Sequence, residues 1–323
     1  MAQATWLANP IKIIESNILL VDSSNLPHYS IRKTVIKSMS SKGGSSISIL
    51  SCEYQTRVMG LEELIFRLDY EEARRALLEE MRSEAKGVFD KARRVMCVQP
   101  HPDDTDVAAG GTVAKLAARG VEVVYVTLTD GRLGTVDPRV QPEELAEKRR
   151  REQEEAAGIL GVKELIWLGV KDGELQPTLE LRWKLVELIR EFKPDVIVTP
   201  DPWLTYEAHP DHRNTGILAS EAAFFAPLPH AAPCERLQPH FVRYVAYYWT
   251  RSPNEFVDVS DRIETKLKAV KAHKSQFGEN PVIEDILRAY MRLAGKSIGV
   301  NYAEAFKVLT PFHLHCNVFA EDV

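Results

Sequence analysis

The chain has 323 residues, 45% of them hydrophobic and 27% charged, with a formal net charge of −5. That is enough apolar material for one large or two small domains and excludes a chain disordered throughout. The acidic balance argues against a nucleic-acid-binding surface, and no apolar run approaches the ~20 residues of a membrane helix.

Residues 1–58 carry eleven serines, and six Lys and Arg against three acidic residues, a composition foreign to the rest of the chain. They are expected to be an N-terminal extension without chemistry, either loosely attached and disordered or a translated leader outside the native protein. No basic segment followed by an apolar core and cleavage site marks an export signal. From Met59 the sequence turns Glu-, Arg- and Leu-rich, with helical periodicity at Leu61, Leu64, Ile65, Leu68, Ala73, Leu77 and Leu78. Strands are then expected near 94–99, 121–128, 164–168, 195–199 and 242–249, and helices near 107–119, 142–160, 179–192 and 212–225. This alternation predicts an α/β fold, a Rossmann-like doubly wound and mostly parallel sheet flanked by helices. The continuous apolar runs at 121–126 and 195–198 suit strands buried on both faces. Residues 253–323 are expected to add a strand and helices, with Ser260 or Asp261 capping a helix that runs to about 277. Cys52, Cys97, Cys234 and Cys316 form no CxxC pair. Neither a thiolate metal site nor a disulfide framework is indicated, and a reducing cytoplasm is expected.

Two short motifs end strand-like runs: Pro100-His101-Pro102-Asp103-Asp104 and His209-Pro210-Asp211-His212. Ligands of open α/β sheets collect beyond the carboxyl ends of the strands, so these distant residues are expected to meet. His101, Asp104 and His212 would give a divalent cation three protein ligands and leave positions open for water, as catalytic rather than structural sites do. Pro100, Pro102 and Pro210 stiffen the backbone around those ligands. Zinc is the expected ion, because Asp103, adjacent to Asp104 and too constrained to join it easily at the same cation, is placed to take a proton from water activated there. Two imidazoles and a carboxylate also describe non-haem iron oxygenase sites, which stay open as a reading. His209 is expected to face the opposite side of a substrate, stabilising an oxyanion or protonating a leaving amine. Asp211 would orient an imidazole or cap the helix, and capping is also the bland reading of Asp103 and Asp104. Trp203 and Tyr206 either stack on a sugar or pack at the core edge. Gly131-Arg132-Leu133-Gly134 lacks the full glycine fingerprint and the lysine of a phosphate loop. His273, His313 and His315 have no partner motif and read as structural or exposed.

With HPDD followed by HPDH at strand ends of a doubly wound domain, the chain resembles the LmbE-like, PIG-L-type zinc N-deacetylases over roughly residues 59–323. Further matches are Thr129-Asp130-Gly131-Arg132, then Arg149 and Glu152 ahead of Leu160-Gly161-Val162, and Asp172 in Lys171-Asp172-Gly173-Glu174. The resemblance implies that residues 59–323 form a zinc-dependent N-deacetylase domain. It implies His101, Asp104 and His212 as zinc ligands, Asp103 as general base and His209 as acid or oxyanion-stabilising group. Arg149 would be a sugar-hydroxyl donor and Asp172 a substrate-binding carboxylate, against the local alternatives of a solvated helix face and an Asp-Gly turn. Thr105 departs from the pattern, since many relatives carry Glu there. The spacing looks most similar to the archaeal diacetylchitobiose deacetylases, which implies N,N'-diacetylchitobiose or N-acetylglucosamine as substrate and a homo-oligomer, a hexamer among its forms. Two alternatives stay open: a deacetylase of an N-acetylglucosaminyl conjugate of the mycothiol or bacillithiol type, and a non-catalytic metal-containing sugar-binding module.

Overall fold

The computed structural model describes residues 13, 14, 17, 18, 69–232, 236–278 and 280–323. The chain divides into two units, Met1–Ala73 and Arg74–Val323. In the first, β1 (Ile13–Ile14) pairs antiparallel with β2 (Asn17–Ile18). The boundary expected at Met59 and the periodic stretch 61–68 lie outside the described residues. Helix α1 (Tyr70–Glu84) spans the division between the units.

The second unit is built on β3 (Arg94–Gln99), α2 (Asp104–Ala118), β4 (Glu122–Thr129), α3 (Pro142–Leu160), β5 (Glu164–Val170), α4 (Leu179–Phe192), β6 (Val196–Pro200), α5 (Pro210–Phe225) and β7 (Tyr244–Tyr248). It is completed by β8 (Glu255–Asp258), α6 (Ile263–Ala272), α7 (Pro281–Lys296) and β9 (Ala303–Leu309). Seven strands form one sheet in the order β5-β4-β3-β6-β7-β9-β8. The pairs among β3 to β7 are parallel, while β9 runs antiparallel to both β7 and β8. The predicted doubly wound sheet is therefore present, with two antiparallel strands added at one edge.

The strand sequences explain the layering. Successive residues of a strand point to opposite faces, and a strand covered on both sides has to be apolar throughout. Met96 and Val98 of β3 join Val124, Val126 and Ile197 in a core closed by Leu185 and Ile189 of α4 and by Leu218 and Ala222 of α5. Val95 and Cys97 join Val123, Tyr125 and Val196 on the other face, under Val113 of α2, Leu160 of α3 and Ala269 of α6. Each fully buried Val, Leu or Ile of these layers contributes roughly 1.5–3 kcal/mol, enough to fix the strand register. No helix among the described residues is long and apolar enough to cross a membrane.

One expectation fails in the C-terminal addition. Helix α6 begins after Arg262 and ends at Ala272, short of 277, and neither Ser260 nor Asp261 caps it. Ser260 Oγ instead donates to Asp258 Oδ1 at 2.6 Å, which closes the turn after β8. The helix stops because His273 turns inward to Asp106, at 2.8 Å.

Glu255 on the edge strand β8 accepts from the Gly87 amide at 2.8 Å, and burial pushes its carboxyl up to about 7. A carboxyl held above its unfolded value of about 4.3 binds more protons in the folded state, so its contribution to stability falls as pH rises through that window. Because the side chain keeps part of its hydration, wild type is expected to lose about 1–2 kcal/mol relative to Glu255→Gln between pH 5 and pH 8. Urea midpoints of the two proteins at both pH values test this; parallel profiles would show that Glu255 ionises freely.

Candidate active site

The parallel sheet winds outward in both directions from β3 and β6, so a crevice opens where the chain leaves these neighbouring strands. Both motifs stand there. His101, Asp103 and Asp104 join β3 to α2, and His209, Asp211 and His212 form the entry to α5 after β6. Asp172 follows β5, and Arg149 comes from the middle of α3.

His101, Asp104 and His212 each present a ligand atom within 4.8 Å of the others. Asp104 Oδ2 lies 3.1 Å from His101 Nδ1, and Asp104 Oδ1 lies 3.6 Å from His212 Nε2. Asp104 also accepts from the His101 amide at 2.8 Å, which ties the carboxylate to its own motif rather than to the helix end. The far nitrogen of each ring is held by carboxylates. His101 Nε2 is 3.1 Å from Asp172 Oδ1 and 3.5 Å from Asp211 Oδ2, and His212 Nδ1 is 3.1 Å from Glu207 Oε2. The His212 ring stacks on Trp249 at 5.2 Å and 18°. Imidazoles that ligate metals are typically oriented this way, with the remaining N–H on a carboxylate. Burial raises the proton affinity of Asp104, but His212 and His101 beside it hold its pKa at about 2. Burial opposes charge on His101, yet hydrogen bonds to Asp104, Asp172 and Asp211 prevail and hold its pKa well above the ordinary imidazole range. The pocket thus gathers more negative charge than its side chains neutralise and fits a divalent cation bound by a borderline-soft N and O donor set.

Asp103 occupies the N-cap position of α2 but makes no side-chain cap bond, so the bland reading of this residue fails. Its backbone sits at φ 112°, a region that costs a non-glycine residue energy and persists only where neighbours enforce it. The enforcing contacts are buried. The Asp103 amide donates to Gln153 Oε1 at 2.9 Å, and Gln153 Nε2 donates to Asp106 Oδ2 at 2.8 Å. Asp106 also holds the Tyr125 hydroxyl and His273 Nε2, both at 2.8 Å, and Gln99 donates to Gln153 Oε1. Burial pushes the Asp103 carboxyl up to about 6, against the pull of the Arg149 guanidinium.

Arg149 is buried on α3 and donates to Pro102 O at 2.7 Å, Gly131 O at 2.9 Å and Asp103 Oδ2 at 3.1 Å. Its loop explains the two glycines that superficially suggested a phosphate loop. A Cβ on Gly131 or Gly134 would lie 2.6 or 2.5 Å from Arg149 Nη1, so both positions must be glycine for the chain to wrap the guanidinium. Asp172 is engaged by protein on both oxygens, with Oδ1 at His101 and Oδ2 accepting from Leu133 N at 3.1 Å. Burial raises the Asp172 carboxyl, but the bonds from His101 and Leu133 outweigh it and lower its pKa.

Asp211 does not cap α5. His209 does, its Nδ1 accepting from the Asp211 amide at 3.3 Å, which leaves the proton of a neutral ring on Nε2. That nitrogen lies 3.7 Å from Asp172 Oδ1 on a partly exposed side chain, and burial together with nearby His101 and His212 lowers the His209 pKa. Asp211 is fully buried and accepts from Gly173 N at 2.7 Å, which fixes the oxygen that faces His101.

All eight residues singled out by the two motifs and by the resemblance therefore gather around one crevice. His273, read as structural or exposed, is buried against Asp106, whereas sequence reasoning missed Glu207, Gln153 and Asp106. Of these only Glu207 gave a local signal, as an acidic residue two positions before His209. Trp203 packs edge-on against Tyr247 at 5.6 Å, and Tyr206 is exposed. His313 is buried and His315 exposed, as structural or surface residues should be.

A family model described as PIG-L, GlcNAc-PI de-N-acetylase, matches residues 96–223. The chain is 42% identical to a diacetylchitobiose deacetylase of Thermococcus kodakarensis over 79% of its own length and 97% of that protein. It is 32% identical to a probable N-acetyl-alpha-D-glucosaminyl L-malate deacetylase 2 of Bacillus anthracis, covering 61% of this chain and 87% of the relative. Among solved structures, the N,N'-diacetylchitobiose deacetylase of Pyrococcus horikoshii in complex with its inhibitor MPG superposes with a TM-score of 0.74 at 41% identity, over 79% of this chain and 98% of that one.

Proposed function

The chain belongs to the PIG-L family of de-N-acetylases, and from that premise we propose that it removes the acetyl group from N-acetylglucosamine units, with N,N'-diacetylchitobiose as the preferred substrate. The observation that carries the reading is the convergence of His101, Asp104 and His212 beside a carboxylate, Asp103, that is left out of the ligand set. The high similarity to two diacetylchitobiose deacetylases over nearly their whole length favours that substrate over the malate conjugate. The products are acetate and the free amine of a glucosamine unit, which places the enzyme in the breakdown of chitin-derived sugars.

His101, Asp104 and His212 would hold the cation, for which zinc suits the two imidazoles, the carboxylate and the hydrolytic task. Zinc held there would supply Lewis acidity toward the acetamide carbonyl and would lower the pKa of water in the site. Asp103 accepts the proton as the water oxygen adds to the carbonyl carbon, and burial makes it a stronger base than a solvated carboxylate. Arg149 holds Asp103 in place and, beside it, would address a sugar hydroxyl. His209 Nε2–H, 3.7 Å from Asp172 Oδ1, would stabilise the oxyanion or protonate the departing nitrogen. Asp172 and Asp211 fix the His101 ring, and Asp172 also meets the substrate. Cys97 and Cys316 are free thiols, which suits a reducing cytoplasm. The working form is a homo-oligomer, with a hexamer as the reference state.

The test is acetate release from diacetylchitobiose, N-acetylglucosamine and an N-acetylglucosaminyl malate conjugate at matched concentrations. Highest kcat/KM on diacetylchitobiose supports the reading. Highest kcat/KM on the malate conjugate moves the chain to the alternative branch, and sugar binding without release from any of them leaves a non-catalytic module.

The buried chain behind Asp103 adds a prediction. Gln153→Leu removes the acceptor of the Asp103 amide and leaves Asp106 short of a donor. A misplacement of the base by a fraction of an ångström is expected to lower kcat about 10- to 100-fold with KM changed little. Steady-state kinetics beside metal content check this, and an unchanged kcat would remove Gln153 from the positioning of Asp103.

A further inference from the structure

Helix α7 has two apolar faces, of which one is packed against other described residues. Leu287 and Met291 are buried, with Ile283 packed beside them, against Ile263, Leu267 and Val270. Next to that face, Val282, Ile286, Tyr290 and Leu293 are 56%, 43%, 70% and 65% exposed, at the four-, four- and three-residue spacing of a single helical stripe. Ile298 extends the apolar surface just past the helix end, at 43% exposure. Scattered exposed apolar residues need no explanation, but a contiguous row along a helix marks an interaction surface.

The charges beside the stripe identify what covers it. Asp285, Ala289, Arg292 and Lys296 form an exposed flank, acidic toward the start of the helix and basic toward its end. Among the described residues Asp285 has no ion-pair partner, and the Arg292 guanidinium reaches only Tyr302, its hydroxyl at 3.2 Å and its ring at 5.3 Å. Asp285 and Arg292 are one heptad apart on the same side. When two identical helices pack antiparallel about a twofold axis, positions on the same flank face each other, and every contact occurs twice. Asp285 then faces the partner's Arg292, and the reverse pair repeats it. The same register sets Val282 against the partner's Leu293 and places Ile286 and the small Ala289 at the crossing, where a small residue permits close approach. An acidic or basic partner of another kind would satisfy only half of this flank.

We propose that the exposed face of α7 is a self-association surface on which a second copy of this chain packs its own α7 antiparallel. The inference is independent of the chemistry assigned to the crevice. It goes beyond the homo-oligomer named above by assigning the surface and the symmetry.

Sedimentation equilibrium of the full chain tests it, with circular dichroism as a check on folding. Leu293→Asp should shift the population to a smaller species. Asp285→Arg and Arg292→Asp should each weaken association at least tenfold, and the double variant D285R/R292D should restore it to within a few-fold of wild type. That rescue singles out self-pairing, since no other occupant of the stripe is mended by exchanging the two charges. A wild type that is monomeric, or four proteins with the same association constant, overturns the proposal. So does a Leu293→Asp variant that keeps its mass and loses thermal stability, because the stripe would then be covered by another part of the same chain.

Discussion

Asp103→Asn is expected to keep its fold and its metal and to lose about a thousandfold in kcat, within the ~10²–10⁴ range of a general base. The substitution is isosteric, so the bond from Arg149 Nη2, now 3.1 Å long, retains an oxygen acceptor. The Asp103 amide still donates to Gln153, and the strained φ of 112° is still enforced. What disappears is the capacity to take a proton. A merely capping aspartate would behave differently: Asn caps a helix as well as Asp does, so the variant would keep its turnover as well as its stability. The ratio of kcat between the variant and wild type, with metal content determined on the same samples, separates the two roles. Turnover within tenfold of wild type would remove Asp103 from the chemistry.

The parts of this protein legible in its sequence are those whose physical cause is local. β3 reads as an internal strand because Val95, Met96, Cys97 and Val98 are all apolar, which only burial on both faces requires. The two ligand motifs are legible because each pairs imidazole and carboxylate within a few residues of a strand end. The supporting shell is not legible for the opposite reason. Gln153 meets Asp103 across 50 residues and Asp106 meets His273 across 167. Nothing near Gln153, in the run Arg149-Arg150-Arg151-Glu152-Gln153-Glu154, distinguishes a buried amide from the solvated face that its neighbours form. The close approach of α3 to the end of β3 decides it, and that is a property of the sheet order. The end of α6 is similar, because His273 leaves the helix for a partner on another element.

Removing one imidazole is expected to remove the metal and with it the activity. In the proposed site the cation has three protein ligands, His101, Asp104 and His212, so His212→Ala would leave it only His101 and Asp104. Two ligands leave most of the coordination sphere to solvent, so the metal content of the purified variant should fall below a tenth of wild type, and turnover with it. Wild type treated with a chelator should lose turnover to the same level and recover it on addition of zinc, whereas the variant should not recover at equal zinc. Glu207→Gln gives the graded case. Its carboxylate lies 3.1 Å from His212 Nδ1, and loss of such a partner typically costs about 10- to 100-fold in metal affinity while the ligand itself remains. The expected order of metal affinity is thus wild type, then Glu207→Gln, then His212→Ala. Elemental analysis and acetate release measured together establish it. Iron as the metal that restores wild type, with oxygen consumed, would replace the hydrolase by an oxygenase. Full metal content and wild-type turnover in His212→Ala would mean that the cation sits instead among His101, Asp172, His209 and Asp211, the second group in the crevice whose donor atoms lie within 4.8 Å of one another.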